Sequence, residues 1–171
     1  GSGHLIQLPP FSPGTLRSVW GSKERYIEKY FTIEETNKQV PFYVSGDAAE
    51  IIEEGVFKIL GRTDDAIKVA GHRLSTAEME DMVHKDGRAV DVAVVGKDDA
   101  IKGSVPIIFV KVKPGSDVEA VKKEAMALVE RGIGHFAKAQ AVYAVPDLPK
   151  TRSGKIMRRV LRSILKKENP G

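Results

Sequence analysis

The sequence contains no cysteine, which excludes disulfide bonds, thiolate nucleophiles and cysteine-based metal sites. It also lacks any apolar run near the ~20 residues that a membrane-spanning helix needs. The first residues do not show the basic segment and following apolar segment of a secretory signal. Together these absences predict a cytoplasmic protein without a membrane anchor.

Acidic residues are missing from residues 150–167, a segment that contains eight basic ones. The rest of the chain is therefore net acidic, although the whole chain carries a formal charge of +4. A uniformly basic binding face is not supported, and a nucleic-acid-binding protein stays only as an alternative. The spacing of the apolar residues in this segment predicts a helix that packs against the protein; they are Ile156, Val160 and Ile164, with Met157, Leu161 and Leu165.

At 171 residues the chain is long enough for one complete small domain with an attached piece. From His4 to about Gly61 we expect short strands and turns, a helix over 22–30, and a hairpin turn at Glu53–Gly55. The apolar residues in this part are too sparse for an independent core. We therefore predict that residues 1–63 are a remnant of a larger domain.

Residues 64–171 show strands that alternate with helices, which predicts a small α/β domain. Ser75–Glu78 reads as a capping box, so a helix is expected to begin there. A second capped helix is expected to open at Ser116–Glu119 and to end near Gly132. The expected strands are Ala66–Ala70, Val90–Val95, Val105–Val112 and Gln140–Val145.

A first candidate binding motif is Tyr43-Val44-Ser45-Gly46-Asp47, in which a strand runs into a glycine and an Asp placed at the turn. The two carboxylate oxygens of Asp47 suit a vicinal diol such as a ribose. For a Gly-Asp pair taken alone, the commoner role is to stabilise the turn through its own backbone. The motif gains weight from the two that follow it.

A second motif, Gly61–Arg73, places Arg62 and Arg73 eleven residues apart on either side of one strand, so that both can face one site. Guanidinium groups bind phosphate and ribose oxygens through paired N–H donors. A surface strand with flanking turns is an equally weighted alternative. His72 has no second ligand near it in the sequence and is interpreted as a turn residue, so we predict no metal site.

A third motif, Leu148–Ile156, is a turn-rich loop that ends at Lys155 just before a helix. Pro149 stiffens the loop and Gly154 permits close approach, so the ammonium group of Lys155 can be delivered into another domain's cleft. A phosphate-binding P-loop is excluded, because its first glycine is missing and no strand ends four residues earlier. A solvated basic loop is the alternative.

The three motifs, in this order, resemble those of the adenylate-forming superfamily: acyl-CoA synthetases, luciferases and peptide-synthetase adenylation domains. That family carries an aromatic-x-Ser/Thr-Gly-Asp segment, a Gly-Arg-x-Asp-x-x-Ile-Lys-x-x-Gly-x-Arg segment and a Pro-Lys-Thr-x-Ser-Gly-Lys segment. Residues 24–31, 71–80 and 155–159 look most like acetyl- and propionyl-CoA synthetases. The resemblance covers the chain from about Leu5 to Leu165.

The resemblance implies the small C-terminal domain of an AMP-forming acyl-CoA synthetase, with a central mixed sheet flanked by helices, after a β-rich remnant of the N-terminal adenylate-binding domain. It implies ATP, Mg²⁺ and CoA as ligands of the full-length enzyme, with none held tightly by the fragment. A short-chain carboxylate is the implied substrate, acetate first and propionate second. The family's phosphate loop, acyl pocket and purine-stacking segment lie upstream. This chain is therefore expected to be inactive alone and to need its own N-terminal domain as a partner.

The resemblance also implies roles for six residues: ATP ribose binding by Asp47, ribose and phosphate contacts by Arg62, a domain hinge at Asp64, a pantetheine tunnel lined around Gly71, a phosphate contact by Arg73, and adenylation by Lys155. Pairing of Lys68 with Asp65 is expected to support the hinge. The family further implies acetylation of the same catalytic lysine, which removes its charge and makes the loop a target for a protein acetyltransferase and deacetylase. A non-catalytic binding or regulatory module is the alternative from a different class.

Overall fold

A computed structural model describes residues 2–33 and 36–166 of the chain. The chain divides after Asp64 into two compact units, which we call unit 1 (1–64) and unit 2 (65–171). In the described ranges no helix is long and apolar enough to cross a membrane.

Among its described residues, unit 1 has a three-stranded antiparallel sheet, one short helix and a separate two-stranded antiparallel sheet. Its helix begins where the sequence predicts, because the Ser22 hydroxyl accepts a hydrogen bond from the Arg25 amide. The hairpin predicted at Glu53–Gly55 is also confirmed. The elements are β1 (Ser2–Gln7), α1 (Lys23–Tyr30), β2 (Thr32–Ile33), β3 (Lys38–Gln39), β4 (Tyr43–Glu53) and β5 (Val56–Arg62), and the sheet order is β1-β4-β5.

Unit 1 has little buried core of its own. Of the buried apolar side chains in the described ranges, only Val44 and Ala49 belong to it. An aromatic cluster packs α1 on β4, with the rings of Tyr30 and Tyr43 stacked at 5.2 Å. Several large apolar side chains of the β4–β5 hairpin are exposed, namely Ile51, Ile52, Val56, Phe57 and Ile59.

Unit 2 contains a five-stranded mixed sheet, which confirms the predicted α/β class. One long hairpin, β8–β9, forms the centre, and β10 runs parallel to β9 along the other edge of that strand. The elements are β6 (Ile67–Val69), β7 (His72–Leu74), α2 (Thr76–His84), β8 (Ala89–Asp99), β9 (Gly103–Val112), α3 (Val118–Ile133), β10 (Ala141–Ala144) and α4 (Arg158–Lys166).

Both faces of this sheet are buried, because alternate residues of a strand point to opposite sides. On β8, Val92 and Val94 pack in one cluster with residues of α2 and α3. Their neighbours Ala93 and Val95 pack in a second cluster with Leu161 of α4. The sheet therefore lies between α2 and α3 on one face and α4 on the other.

Two details of the helix ends differ from the sequence prediction. The helix α2 is capped as expected by Ser75, whose hydroxyl accepts the Glu78 amide. The cap of α3, however, is Asp117 and not Ser116, since one carboxylate oxygen of Asp117 accepts the amides of both Glu119 and Ala120. The end of α3 predicted near Gly132 is at Ile133, with Gly134 as the C-cap.

The C-terminal apolar stripe is only partly buried. Leu161 is buried, and Ile156 and Leu165 pack against the same cluster. Ile156 precedes the helix, because α4 begins at Arg158. Ile164 is exposed, so the sequence prediction that it packs inward is wrong.

Candidate functional site

The first motif lies within a strand and not at a turn, which corrects the placement of Asp47. Strand β4 continues to Glu53, and a bulge between its pairings with β1 contains Gly46 at φ +81°. The Ser45 hydroxyl secures the bulge by donating to the Leu5 carbonyl at 2.9 Å and accepting the Asp47 amide at 3.1 Å. The bulge changes the direction in which Asp47 is presented from the strand.

The guanidinium of Arg62 lies beside this bulge, across the antiparallel ladder from Asp47. Its Nη1 donates to the Ser45 carbonyl at 3.0 Å and to Asp47 Oδ1 at 3.4 Å. Its Nε donates to Asp64 Oδ1 at 3.3 Å. Burial alone would lower the pKa of Arg62, but the two carboxylates outweigh it and raise the pKa. Unit 1 thus brings together three of the six candidate residues.

These side chains are partly exposed: 36% for Arg62, 33% for Asp47 and 47% for Asp64. The group is therefore held in place and still open to solvent on one side. Asp64 belongs to a 3₁₀ turn over 63–65, and the Thr63 hydroxyl of that turn donates to the Gly46 carbonyl at 3.1 Å. An anchored guanidinium with flanking carboxylates can bind phosphate oxygens and hydroxyl groups at once.

The Gly71 region is a two-residue hairpin turn between β6 and β7. Val69 pairs with His72, and the two residues between them have positive φ: +48° for Ala70 and +85° for Gly71. That combination is typical of a type I′ turn. His72 lies in β7 and not in the turn, and its ring stacks on Phe136 at 4.3 Å.

A cavity of about 400 Å³ lies beside this turn in unit 2. Ala70 lines it together with Lys102 and Lys138 and with one acidic residue, Asp99. The Ala70 amide donates to the Lys102 carbonyl at 2.9 Å, which fixes the turn against the β8–β9 hairpin. Two lysines against one aspartate give the lining an excess of positive charge, which favours an anionic ligand.

Arg73 pairs across the β6–β7 ladder with Lys68. It belongs to unit 2, whereas Arg62 belongs to unit 1. The expected pairing of Lys68 with Asp65 is wrong, because Asp65 is bound by two arginines of α4. Lys68 itself is exposed.

The Lys155 loop, which we define as residues 149–157, closes on itself through backbone hydrogen bonds. The Thr151 amide donates to the Lys155 carbonyl at 2.8 Å, and the Met157 amide donates to the Pro149 carbonyl at 2.8 Å. The Thr151 hydroxyl accepts a hydrogen bond from the Lys155 amide at 3.1 Å. The Gly154 amide donates a hydrogen bond to the Thr151 carbonyl at 2.9 Å. The loop is thus a small closed turn at whose end Lys155 is presented.

Both ends of the Lys155 loop are anchored to unit 2. Before the loop, Leu148 is buried in the cluster between the sheet and α4. At its start, the Lys150 ammonium donates to Asp91 Oδ2 at 2.7 Å, which raises the pKa of Lys150. Lys155 is exposed, and no acidic side chain of the described residues pairs with its ammonium group.

Sequence reasoning missed the group that holds the far end of this loop. Arg158 Nη2 donates to both carboxylate oxygens of Glu80, at 2.9 and 2.7 Å. The two residues are 78 positions apart, and no local pattern links them. Within the described ranges no three His, Cys, Asp or Glu side chains are grouped closely enough to hold a metal ion.

Comparison with known proteins assigns the family. Residues 78–155 match the family described as AMP-binding enzyme C-terminal domain. The chain is 45% identical to an acetyl-coenzyme A synthetase of Helicobacter acinonychis, over 97% of this chain and 26% of that protein. It is 41% identical to a propionate–CoA ligase of Salmonella typhimurium, over 99% of this chain and 27% of that protein. The chain thus spans about a quarter of the length of the curated relatives that it matches.

Solved structures give the same result. An anthranilate CoA ligase in complex with anthranoyl-AMP is 25% identical, with a TM-score of 0.79 over 96% of this chain and 30% of the other. A Brucella canis acyl-CoA synthetase is 30% identical, with a TM-score of 0.57 over 74% of this chain and 24% of the other. The resemblance drawn from the three motifs is confirmed. The chain therefore carries the AMP-binding enzyme C-terminal domain at residues 78–155 and is similar over nearly its whole length to part of the acyl-CoA synthetases.

Proposed function

We propose that this chain is the C-terminal part of an AMP-forming acid–CoA ligase that acts on a short-chain carboxylate, with acetate as the first substrate. The observation that carries the proposal is the alignment of nearly the whole chain with acetyl-CoA synthetases. In the first half-reaction a carboxylate oxygen attacks the α-phosphorus of ATP, and the bond from that phosphorus to pyrophosphate breaks. In the second, the sulfur of CoA attacks the acyl carbonyl and AMP leaves.

Unit 1 supplies the nucleotide contacts in this proposal. Asp47 accepts hydrogen bonds from the ribose hydroxyls, and Arg62 contacts ribose and phosphate. Their arrangement supports this, because Arg62 is already oriented by Ser45 and by the two carboxylates. A cation held in place before the substrate arrives loses little side-chain freedom on binding. The apolar residues exposed on the β4–β5 hairpin support the proposal that unit 1 is part of a larger N-terminal domain, because an exposed apolar patch often marks a surface that another part of a protein covers.

Lys155 serves adenylation. Two anions must meet when the carboxylate approaches ATP, and negative charge increases on the phosphate oxygens as pyrophosphate leaves. A preorganised ammonium lowers that barrier, and losing one such group costs ~3 kcal/mol, or about 10²-fold in rate. The exposure of Lys155 and the closed backbone of its loop support this role. Mg²⁺ enters with the phosphates of ATP, since it is usually bound by phosphates and only one or two carboxylates.

Thioester formation uses another face of unit 2. Asp64 is the hinge, and rotation there exchanges Lys155 for the Gly71 turn at the reaction centre. The division of the chain immediately after Asp64 supports that position. Gly71 lines the path of pantetheine and Arg73 contacts phosphate. The cavity beside the turn supports a contact with the phosphates of CoA, because its two lysines outnumber its one aspartate.

Propionate is the second candidate substrate, because a propionate–CoA ligase is nearly as similar to this chain as the acetyl-CoA synthetases are. Acetate and propionate differ by one methylene, worth only ~1–3 kcal/mol in an apolar pocket. We place the protein in the cytoplasm, where ATP and CoA are available and where the absence of cysteine fits a reducing compartment.

Lys155 is also the proposed acetylation site, with a protein acetyltransferase and deacetylase as partners. Its exposure supports access by a modifying enzyme, as does the absence of an acidic partner for its ammonium group within residues 2–33 and 36–166. Acetylation removes the positive charge that adenylation needs. The modification would therefore stop the first half-reaction.

The test is ATP–pyrophosphate exchange by the chain completed with its native upstream sequence, with acetate and propionate in separate reactions. We expect exchange with both acids and a higher kcat/KM with acetate. Exchange with propionate and not with acetate would make propionate the assigned substrate. No exchange with any short-chain acid would refute the proposed activity.

A further inference from the structure

The strongest side-chain cluster outside the six candidate residues joins the start of α4 to the start of unit 2. Arg158 donates to Glu80 through two hydrogen bonds, and a second nitrogen, Nη1, lies 3.7 Å from Asp65 Oδ2. Arg162, one turn further along α4, donates to the other oxygen of Asp65. Glu80 also accepts the Val94 amide at 2.8 Å. The cluster therefore links the residue after the proposed hinge, α2, β8 and α4.

The Glu80–Arg158 pair is the part of this cluster best shielded from water. The side chains of Glu80 and Arg158 are only 12% and 19% exposed. Burying two charges costs free energy that their attraction often only balances, so such a pair adds little net stability. Burial in fact raises the pKa of Glu80, against the lowering effects of the Val94 amide and Arg158. A single guanidinium nitrogen, Nη2, lies within hydrogen-bond distance of both carboxylate oxygens, and the charge on both groups makes such a contact short and strong.

The position of Arg158 along the chain gives the contact its importance. It is the first residue of α4 and stands three residues after Lys155. The intervening backbone is bound to the other side of the loop, since the Met157 amide donates to the Pro149 carbonyl. A displacement of Arg158 would therefore shift the loop end from which Lys155 projects.

We propose that Glu80 is a positioning residue for Lys155: by accepting hydrogen bonds from Arg158 Nη2 at both carboxylate oxygens, it fixes the end of the Lys155 loop and so the direction of the ammonium group. This inference rests on the proposed role of Lys155 in adenylation. Glu80 itself touches no substrate. Its contribution reaches the reaction only through the position of the lysine.

The test compares Glu80→Gln with a matched control, Glu119→Gln. Glutamine keeps the size of Glu80 and an oxygen for the Val94 amide, but removes the charge that pairs with Arg158. Glu119 forms an exposed pair with Lys122 on α3, far along the chain from the loop. A second variant, Arg158→Lys, keeps a positive charge but has a single nitrogen, which cannot contact Glu80 and Asp65 at once as Arg158 does.

Both half-reactions are measured on the completed protein, adenylation by ATP–pyrophosphate exchange and thioester formation from supplied acetyl-adenylate. We expect Glu80→Gln and Arg158→Lys to slow adenylation by about 10- to 100-fold, because a misplacement near 1 Å has effects of that size. Thioester formation should stay within about 2-fold of the parent, since it does not use Lys155. An equal fall in both half-reactions would show a merely structural role and overturn the proposal, as would unchanged adenylation.

Amide hydrogen exchange of the same proteins gives a readout that does not depend on activity. The Gly154, Lys155 and Met157 amides all donate within the loop. We expect them to exchange about 10-fold faster in Glu80→Gln and unchanged in Glu119→Gln. Unchanged exchange in Glu80→Gln would refute the positioning role. If the parent protein shows no pyrophosphate exchange, the proposed function fails, and the loop amides alone decide whether Glu80 holds the loop.

Discussion

The guanidinium of Arg62 lies directly over Gly46. A Cβ atom placed on Gly46 would stand 2.7 Å from Nη2 and 2.9 Å from Nη1 of Arg62, closer than real Cβ contacts. Two independent features therefore favour glycine at position 46: its φ of +81° and the arginine packed against it. The packing of this arginine on a bulged strand is what sets the geometry of the proposed nucleotide contacts.

Gly46→Ala should therefore displace Arg62. We expect the KM for ATP of the completed protein to rise about 10-fold or more, as for loss of one charged hydrogen bond. Gly55→Ala is the matched control: Gly55 has φ +78° in the same unit, but a Cβ there meets nothing within 4 Å. Both variants should lose about 1–2 kcal/mol of unfolding free energy. An equal effect of both on KM would contradict the role of Arg62.

Ala70 is held in the left-handed region at φ +48°, next to Gly71 in the turn between β6 and β7. Asparagine tolerates this conformation better than alanine does. Ala70→Asn is expected to raise the unfolding free energy by about 0.5–1 kcal/mol, measured by urea denaturation. A loss of stability would mean that the turn is not of this type.

Gly132 lies inside α3, where a Cβ would stand 2.7 Å from the sulfur of Met82 on α2. Gly132→Ala should reduce the unfolding free energy by about 1 kcal/mol, because the overpacking outweighs the better helix propensity of alanine. With Met82→Ala in the background, the same change should be stabilising by about 0.5–1 kcal/mol. A double-mutant cycle without this reversal of sign would refute the close packing of α2 and α3 at this point.

Glu80 gives a prediction of pH dependence. Its pKa in the fold is raised above the ordinary 4.5, chiefly by burial. The folded protein therefore binds this proton more tightly than the unfolded chain does. The contribution of this bound proton to the free energy of unfolding is complete below about pH 4.5, and it is lost as the pH rises through the folded-state pKa of Glu80. Glutamine does not ionise, so the stability of Glu80→Gln relative to the parent should increase from about pH 4 to about pH 7.

Urea denaturation of the parent and of Glu80→Gln, from about pH 4 to about pH 7, measures the difference between their free energies of unfolding. The other carboxyl groups are present in both proteins, so their effects on this difference largely cancel. A relative stability of Glu80→Gln that falls as the pH rises would contradict the assignment. It would mean that the ion pair with Arg158 outweighs the cost of burial.

The features predicted correctly from the sequence were those fixed by residues close together in the chain. The Ser75 cap and the hairpin at Glu53–Gly55 each depend on fewer than about six residues. At α3 two neighbouring residues could cap the helix, and the choice of Asp117 over Ser116 depends on which side chain reaches two amides. Local sequence does not settle that choice.

Features fixed by distant residues were missed. Asp47 was expected at a turn, but the strand continues because β1 pairs with it, and Ser45 bonds to Leu5 from 40 positions away. Glu80 lies 78 positions from Arg158, still farther along the chain, so their contact had no signal in the motifs. The family motifs identified the candidate residues, whereas the supporting contacts required the fold.

The assignment of Lys155 to adenylation is tested most directly by the two half-reactions of Lys155→Ala in the completed protein, with Arg152→Ala, an exposed residue of the same loop, as the control. The account predicts that Lys155→Ala lowers ATP–pyrophosphate exchange about 10²-fold and leaves thioester formation from acetyl-adenylate near the parent rate. Arg152→Ala should change neither by more than about 2-fold. Exchange that survives in Lys155→Ala would contradict the central claim.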